Sequence, residues 1–442
     1  MEYVPDVQKE MGMTQDPWGL ALGELDQAEQ TGRDVDSFRT RLAELNPNDE
    51  SHLLALYDQV LALPAPADWP YFEASDLPAI TASLADVGEG SAPADIDDRM
   101  AGAWTGRVIG NMMGKPFEIG PTRASIRSYL EPLGRYPLAG YVPFADGADR
   151  AQLGMWGFEG VTESRIDGGT RDDDIDYTVL GLHLVETYGI DYTTRDVAVE
   201  WLSRFPAYQV FTAERNAYQN LIREVPLDDV GEYHNPFREW IGALIRADIF
   251  GFIYAGRSRA AALAAYYDAR LSHRANGIYG EMWAAALVAS AFTSPTPEAS
   301  VEESLRHLPP ASRLAEEIRT VVEAYRSGAN WETALDALAA RHPRMSWVHT
   351  INNAGALTAA ILWGEGDFAR TAGLAVTAGL DTDSIGATAG AWAGAFVGLE
   401  KIPAALADPL HDSYRSGVFG IGDVRLSDLA TRTTALVRRF QP

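Results

Sequence analysis

Four aspartates crowd into five positions of the stretch GGTRDDDIDYTVLGLHLVE (168–186): Asp172, Asp173, Asp174 and Asp176. Like charges so close repel one another, so the pattern asks for positive charge nearby. Two other segments carry acids at the end of a helical pattern. Glu118 closes GRVIGNMMGKPFE, and Asp381 with Asp383 opens DTDSIGATAGAWAGAFVG. An aspartate at a helix start is ordinary, because it accepts from free N–H groups and complements the helix dipole. For any one segment that reading suffices. Three together, with the hydroxyls of Thr178, Thr382 and Ser384 beside them, fit an oxygen-only donor set for a hard cation. Mg2+ or Mn2+ suits such a set better than Ca2+, and so many carboxylates favour two ions over one. The twelve-residue spacing of an EF-hand loop does not occur.

The elements that must position these acids carry a signature of their own. Glycines recur at every fourth position in AGAWTGRVIGNMMGKPFE (Gly102, Gly106, Gly110, Gly114) and again in the later segment (Gly386, Gly390, Gly394, Gly398). A glycine inside a helix costs about 1 kcal/mol against alanine, so a run of them needs compensation. Fourth-residue spacing lines them along one helical face, where missing side chains let another backbone approach. The expectation is that these two helices pack on each other or on a common partner. If they run antiparallel, Glu118 at the end of one meets Asp381 to Ser384 at the start of the other.

Elsewhere apolar residues recur at helical spacing, as in TRDVAVEWLSRFP, RAAALAAYYDARLSH and ASRLAEEIRTVVEAYRSG, and runs of strict alternation are few. An all-α fold of many helices follows. Residues 1–95 read as an N-terminal helical extension draped on the body formed by residues 96–442, its proline-rich piece LPAPADWPYFEASDLP extended. A Gly/Pro/aromatic-rich insertion over 120–165 is too long for an ordinary connection and reads as a lid or specificity loop.

The net charge of −26 argues against nucleic acid or an anionic membrane as a partner. No cysteine is present, so disulfides, thiolate metal sites and cysteine nucleophiles are excluded. The first residues, MEYVPDVQKEMGMTQDP, show no signal-peptide pattern, and no apolar run approaches a membrane span, so a cytoplasmic protein is expected.

These motifs resemble those of the ADP-ribosylglycohydrolase family over roughly residues 97–405. GRVIGNMMGKPFE resembles the family's glycine-rich helix ending in a glutamate, and DDDI (172–175) its Thr-Asp-Asp-Thr motif. GLDTDSIGATAGAWAGAFVGLEKIP resembles its closing Gly-Gly-Asp-Thr-Asp-Thr motif, small-residue helix and Ile-Pro, the most specific of the matches. LSHRANGIYGEMWAAAL resembles its Thr-His helix segment, with His273 at the histidine. The resemblance implies a multi-helix bundle around a central binuclear Mg2+ or Mn2+ site. Glu118, Asp173, Asp174, Asp381, Asp383 and Ser384 would form its shell, and Asp172 would stand where the family has a ligating threonine. It further implies hydrolysis of an anomeric bond of an ADP-ribosyl or related ribosyl substrate, free or protein-linked, with a metal-bound water as nucleophile. Either Glu118 or one aspartate of the middle cluster would take its proton, and Glu118, Asp173 and Asp383 are the candidate catalytic carboxylates.

This chain departs from the pattern. Asp-Asp-Asp-Ile replaces Thr-Asp-Asp-Thr, Gly110-Asn111 replaces the usual Gly-Asp, and the extension and the insertion lie outside it. The alternative is therefore a catalytically degenerate relative that binds nucleotide or serves a structural role. A metal-dependent phosphohydrolase is a third reading, but the histidine-bearing motifs of that chemistry are missing. Asp176 and Tyr177 directly follow the acidic motif and are expected to face substrate along with Glu118. His273 has capping as its ordinary role and a ribose or phosphate contact as its functional one; Asn352 and Asn353 in HTINNAGALTAAIL divide in the same way between helix capping and a substrate contact. In NPFREWIGALIRADIFGF, Arg238 and Arg246 are expected in structural ion pairs, with phosphate contact as the lesser alternative.

Overall fold

The computed structural model describes residues 16–88, 90–148, 150–154 and 160–440. The glycine-bearing segments form two long helices, Ile96–Gly114 and Thr382–Val397, which lie antiparallel at backbone contact. Gly102 faces Gly394, Gly106 faces Gly390, Gly110 faces Gly386, and Gly114 meets the Thr382 carbonyl. A Cβ at Gly106 would lie 2.2 Å from the Gly390 carbonyl oxygen, and one at Gly390 would lie 2.0 Å from that of Gly106. No side chain fits there without separating the backbones. The propensity cost of the glycines is offset by dispersion contact along both helices.

Around this pair stand the helices Asn276–Ala291 and Thr350–Gly364, in which every residue is buried. They are mostly apolar all round, as enclosed helices are, with a few buried polar residues such as Asn276, Glu281, Asn352 and Asn353. Helices farther out bury one stripe; Arg313–Arg326 turns Leu314, Ile318, Val321 and Val322 inward together with Arg313 and Glu317, and Glu316, Arg319, Glu323 and Arg326 to solvent. The fold is all-α as expected: among the described residues the strands are the antiparallel pair Ser413–Arg415 and Asp423–Arg425. No helix of the described residues is long and apolar enough to cross a membrane.

The described part of the N-terminal extension forms helices Pro17–Gln30, Asp36–Glu44, Glu50–Leu61 and Leu77–Ser83. The first three share a small core built on Leu25, Val35, Leu42, Leu53 and Val60. An extended run then crosses the body: Phe72 N donates to the Ala311 carbonyl at 2.9 Å, and Glu73 meets Arg313. The first seventeen residues quoted for the absent leader pattern lie, up to Gln15, outside the described residues.

The 120–165 insertion is built in where it is described. Leu138 N donates to Thr377 Oγ1 at 3.1 Å, the Tyr141 hydroxyl donates to the Leu406 carbonyl at 2.7 Å, and both side chains are buried. Its later part returns to Glu118, since a Cβ on Gly154 would lie 2.5 Å from the Glu118 carbonyl oxygen. The insertion thus forms a wall beside the end of the first glycine helix. Asp149 and residues 155–159 fall outside the described residues.

Candidate metal centre

Antiparallel packing of the glycine helices brings the end of one to the start of the other. The Thr382 hydroxyl donates to the Gly114 carbonyl at 2.9 Å and ties the two together. From that end a short turn, Lys115–Phe117, delivers Glu118 in extended conformation. Asp381 stands at the N-cap position of the second helix without making a side-chain capping bond. Its backbone N–H donates to Asn353 Oδ1 at 3.1 Å, so the helix Thr350–Gly364 fixes the loop. The third contribution is the start of the helix Asp173–Tyr188, where Asp172 does cap, accepting from Asp174 N at 3.1 Å.

Glu118, Asp172 and Asp383 each place a carboxylate oxygen so that all three lie within 4.8 Å of one another. Asp174 is held beside them: Ser384 Oγ donates to its Oδ1 and Asn111 Nδ2 to its Oδ2, both at 3.1 Å. Asp172, Asp174, Asp381, Asp383 and Ser384 are buried, whereas Glu118 and Asp173 are half-buried and reach solvent. Remote acids of the sequence therefore converge.

The electrostatics record the crowding. Burial and then Asp172 push Glu118 well above the usual carboxylate range. Burial followed by Asp172 does the same for Asp174, and burial followed by Glu118 for Asp383. Burial and Asp172 raise Asp173 to about 7, and burial raises Asp381 to about 6. Asp172 goes the other way. Burial would raise it, but the ion-paired Lys115 ammonium outweighs burial and holds it low.

Lys115 and Arg171 are the positive groups that inspection of the sequence passed over. Lys115 pairs with Asp172 and also donates to the Arg171 carbonyl at 2.9 Å. Arg171 Nε donates to Asp176 at 2.9 Å and its charge also acts on Asp173 and Asp172. Farther back, Arg107 pairs with Asp248 and donates to the Asp174 carbonyl at 2.8 Å. A signal for Lys115 was present, since it lies within the quoted motif three residues before Glu118. Lys115 pairs with Asp172 and Arg171 with Asp176, so the carboxylates of Glu118, Asp172, Asp173, Asp174, Asp176, Asp381 and Asp383 outnumber these two cations. Asp383 Oδ1 is buried without a hydrogen-bond partner. A buried carboxylate oxygen left bare is costly, and a hard divalent cation is the partner that all-oxygen donors suit. The residues present fit such an ion.

The other expected residues sit as follows. The Asp176 carboxylate is engaged by Arg171, by the Tyr414 hydroxyl at 3.0 Å, by Ser416 Oγ at 2.8 Å and by Gly417 N, so it fastens the C-terminal strand pair to the acidic helix. Tyr177 packs against Trp201 and Phe205 with the Arg246 guanidinium over its ring. His273 is fully buried next to Ser272, whose Oγ lies 2.8 Å from its Nδ1. Asn353 Nδ2 donates to the carbonyls of Trp347 and His349, and Asn352 Nδ2 to that of Ser346. Asn353 thus reaches the centre through the Asp381 backbone, and Asn352 supports it by accepting from Asn353 N at 2.9 Å. Arg238 makes the expected ion pair, with Glu24, and Arg246 pairs with Glu214 and Asp268.

The ADP-ribosylglycohydrolase family model matches residues 92–440. A solved structure described as an ADP-ribosylglycohydrolase-related protein complex is similar at 20% identity, covering 78% of this chain and 99% of that one with a TM-score of 0.49. No curated protein matches the chain.

Proposed function

This chain belongs to the ADP-ribosylglycohydrolase family, and on that premise we propose that it hydrolyses the anomeric bond of an ADP-ribosyl or related ribosyl conjugate. The site is the acidic centre, where Glu118, Asp172, Asp173, Asp174, Asp381, Asp383 and Ser384 would hold two Mg2+ or Mn2+ ions. The observation that carries this reading is the bare, buried Asp383 Oδ1 beside Glu118 and Asp172. Bound divalent cations supply Lewis acidity, which fixes ribose hydroxyls and makes water acidic enough to lose a proton near neutral pH.

The chain's own residues account for the rest. Glu118 and Asp173 are the carboxylates of the centre with a path to solvent, so one of them accepts the proton of the attacking water. Asp174, clamped between Asn111 and Ser384, and Asp381, fixed through Asn353, hold position. Positive charge that develops at C1 as the leaving group departs is stabilised by the surrounding acids.

The alternative of a non-hydrolytic relative is favoured by one observation: Asp172, in the position of a ligating hydroxyl, is engaged by Lys115. A screen of ribosyl conjugates (ADP-ribosyl-arginine, ADP-ribosyl-serine, O-acetyl-ADP-ribose, nucleosides) with and without Mn2+ decides. Release of the ribosyl product with Mn2+ and none after chelation is expected; no turnover of any conjugate would leave the non-hydrolytic reading standing.

A further inference from the structure

Lys115 sits in the turn after the first glycine helix and sends its ammonium into the acidic centre, where it pairs with Asp172 and donates to the Arg171 carbonyl. Glu118 and Asp383 act on the same ammonium. Its partner Asp172 is one of the three carboxylates whose oxygens lie within 4.8 Å of one another, where donor geometry would also set a divalent ion. The Lys115–Asp172 pair is electrically neutral, as a hydroxyl in place of Asp172 would be. The net charge that the centre offers to cations is thus the same as with a hydroxyl at that position. An ammonium and a divalent ion on the same Asp172 carboxylate repel each other and compete for its lone pairs.

We propose that the Lys115 ammonium is a tethered stand-in for one of the two cations, so that the first divalent ion binds with the Lys115–Asp172 pair intact and the second binds only by displacing it. This rests on the metal-dependent reading above. Its consequence is that the two ions bind with widely separated affinities, and that the chain passes through a state with one divalent ion and one ammonium.

The test is a Mn2+ titration of the full chain after chelation, read by calorimetry and by electron paramagnetic resonance, on the native protein, Lys115→Met and Lys115→Gln. The native protein is expected to take one ion tightly, with the spectrum of an isolated Mn2+, and a second more weakly by on the order of 10–100-fold. The neutral variants should take two ions of similar affinity and show the spectrum of an exchange-coupled pair. Two ions of similar affinity in the native protein, or neutral variants that titrate as the native does, overturn the proposal alone. Absence of Mn2+ from all three proteins overturns it together with the metal-dependent reading. Melting in chelator reports whether each variant folds, and if neither does, the native titration decides by itself.

Discussion

Two regions of this protein bury clustered carboxylates and treat them in opposite ways. Where the N-terminal extension crosses the body, Arg313 clasps Glu73 through Nε at 2.8 Å and Nη2 at 2.9 Å, and Glu239 through Nη2 at 2.7 and 2.9 Å. Asn276 Nδ2 adds a bond to Glu73 at 2.7 Å. Each carboxylate there has a planar, permanently charged partner in a bidentate arrangement. At the acidic centre the cations are fewer than the acids and Asp383 Oδ1 is left bare. A third arrangement appears at Glu281, which burial and then Asp268 push well above the usual carboxylate range while the Arg246 guanidinium lies 3.5 Å away. The contrast separates roles. A guanidinium built into the chain makes a carboxylate structural, whereas a deficit of built-in charge leaves room for an ion that comes and goes.

The contrast breaks most readily at the acidic centre. Asp381→Asn with Asp383→Asn should lower turnover by about 10^3-fold or more, about 4 kcal/mol of barrier. The same change should leave the circular dichroism of the helices intact and should not lower the melting temperature in chelator, because it removes repulsion. A clear loss of metal-free stability would make these aspartates structural. Arg313→Met is expected to do the reverse. It strands the buried Glu239 and the half-buried Glu73 and should cost about 3–5 kcal/mol in denaturant unfolding, whatever the metal content.

Cation binding sharpens the same comparison. Mg2+ or Mn2+ at about a hundred times its dissociation constant should stabilise the native chain by about 2.7 kcal/mol, and the aspartate double variant hardly at all. The pH dependence follows from Asp173, raised to about 7, and Asp381, raised to about 6. Without metal the folded chain keeps protons on these groups that the unfolded chain has released above about pH 4. Their contribution to stability is thus full below about pH 4 and is lost as pH rises to about 7. Bound cations favour the ionised forms, so the gain in melting temperature on adding metal should grow across the same window. A gain independent of pH would place the ion elsewhere.

The smallest effect concerns the scaffold. Helix propensity alone predicts that Gly106→Ala stabilises by about 1 kcal/mol. The Gly390 carbonyl 2.2 Å from the new Cβ predicts instead a loss of about 1–3 kcal/mol, measurable by thermal unfolding. Because those helices set the distance between Glu118 and Asp383, metal affinity should fall with it.

The helices, the glycine faces and the acidic segments were legible because each is written in local spacing. Fourth-residue glycines, three- and four-residue apolar recurrence and runs of aspartate are short-range patterns whose physical meaning holds wherever the segment lies. Charge partners were not legible in this way. Asp176 looks like its neighbours in the sequence, yet it serves the turn at Ser416 and Gly417. Lys115 looks like any helix-terminal lysine, yet it lies buried against Asp172. Asn352 and Asn353 read as helix caps, and only the fold reveals that Asn353 holds the Asp381 backbone.

By itself the sequence determined that this chain is helical, that two of its helices need a close partner, and that its acids are crowded enough to call for positive charge nearby. Tertiary structure alone decided which acids meet, which are already answered by Lys115 or an arginine, and which oxygen remains bare. The physical reason is range. Propensity and periodicity act over a few residues, but the energy of a buried charge depends on what every other part of the chain brings within a few ångströms of it.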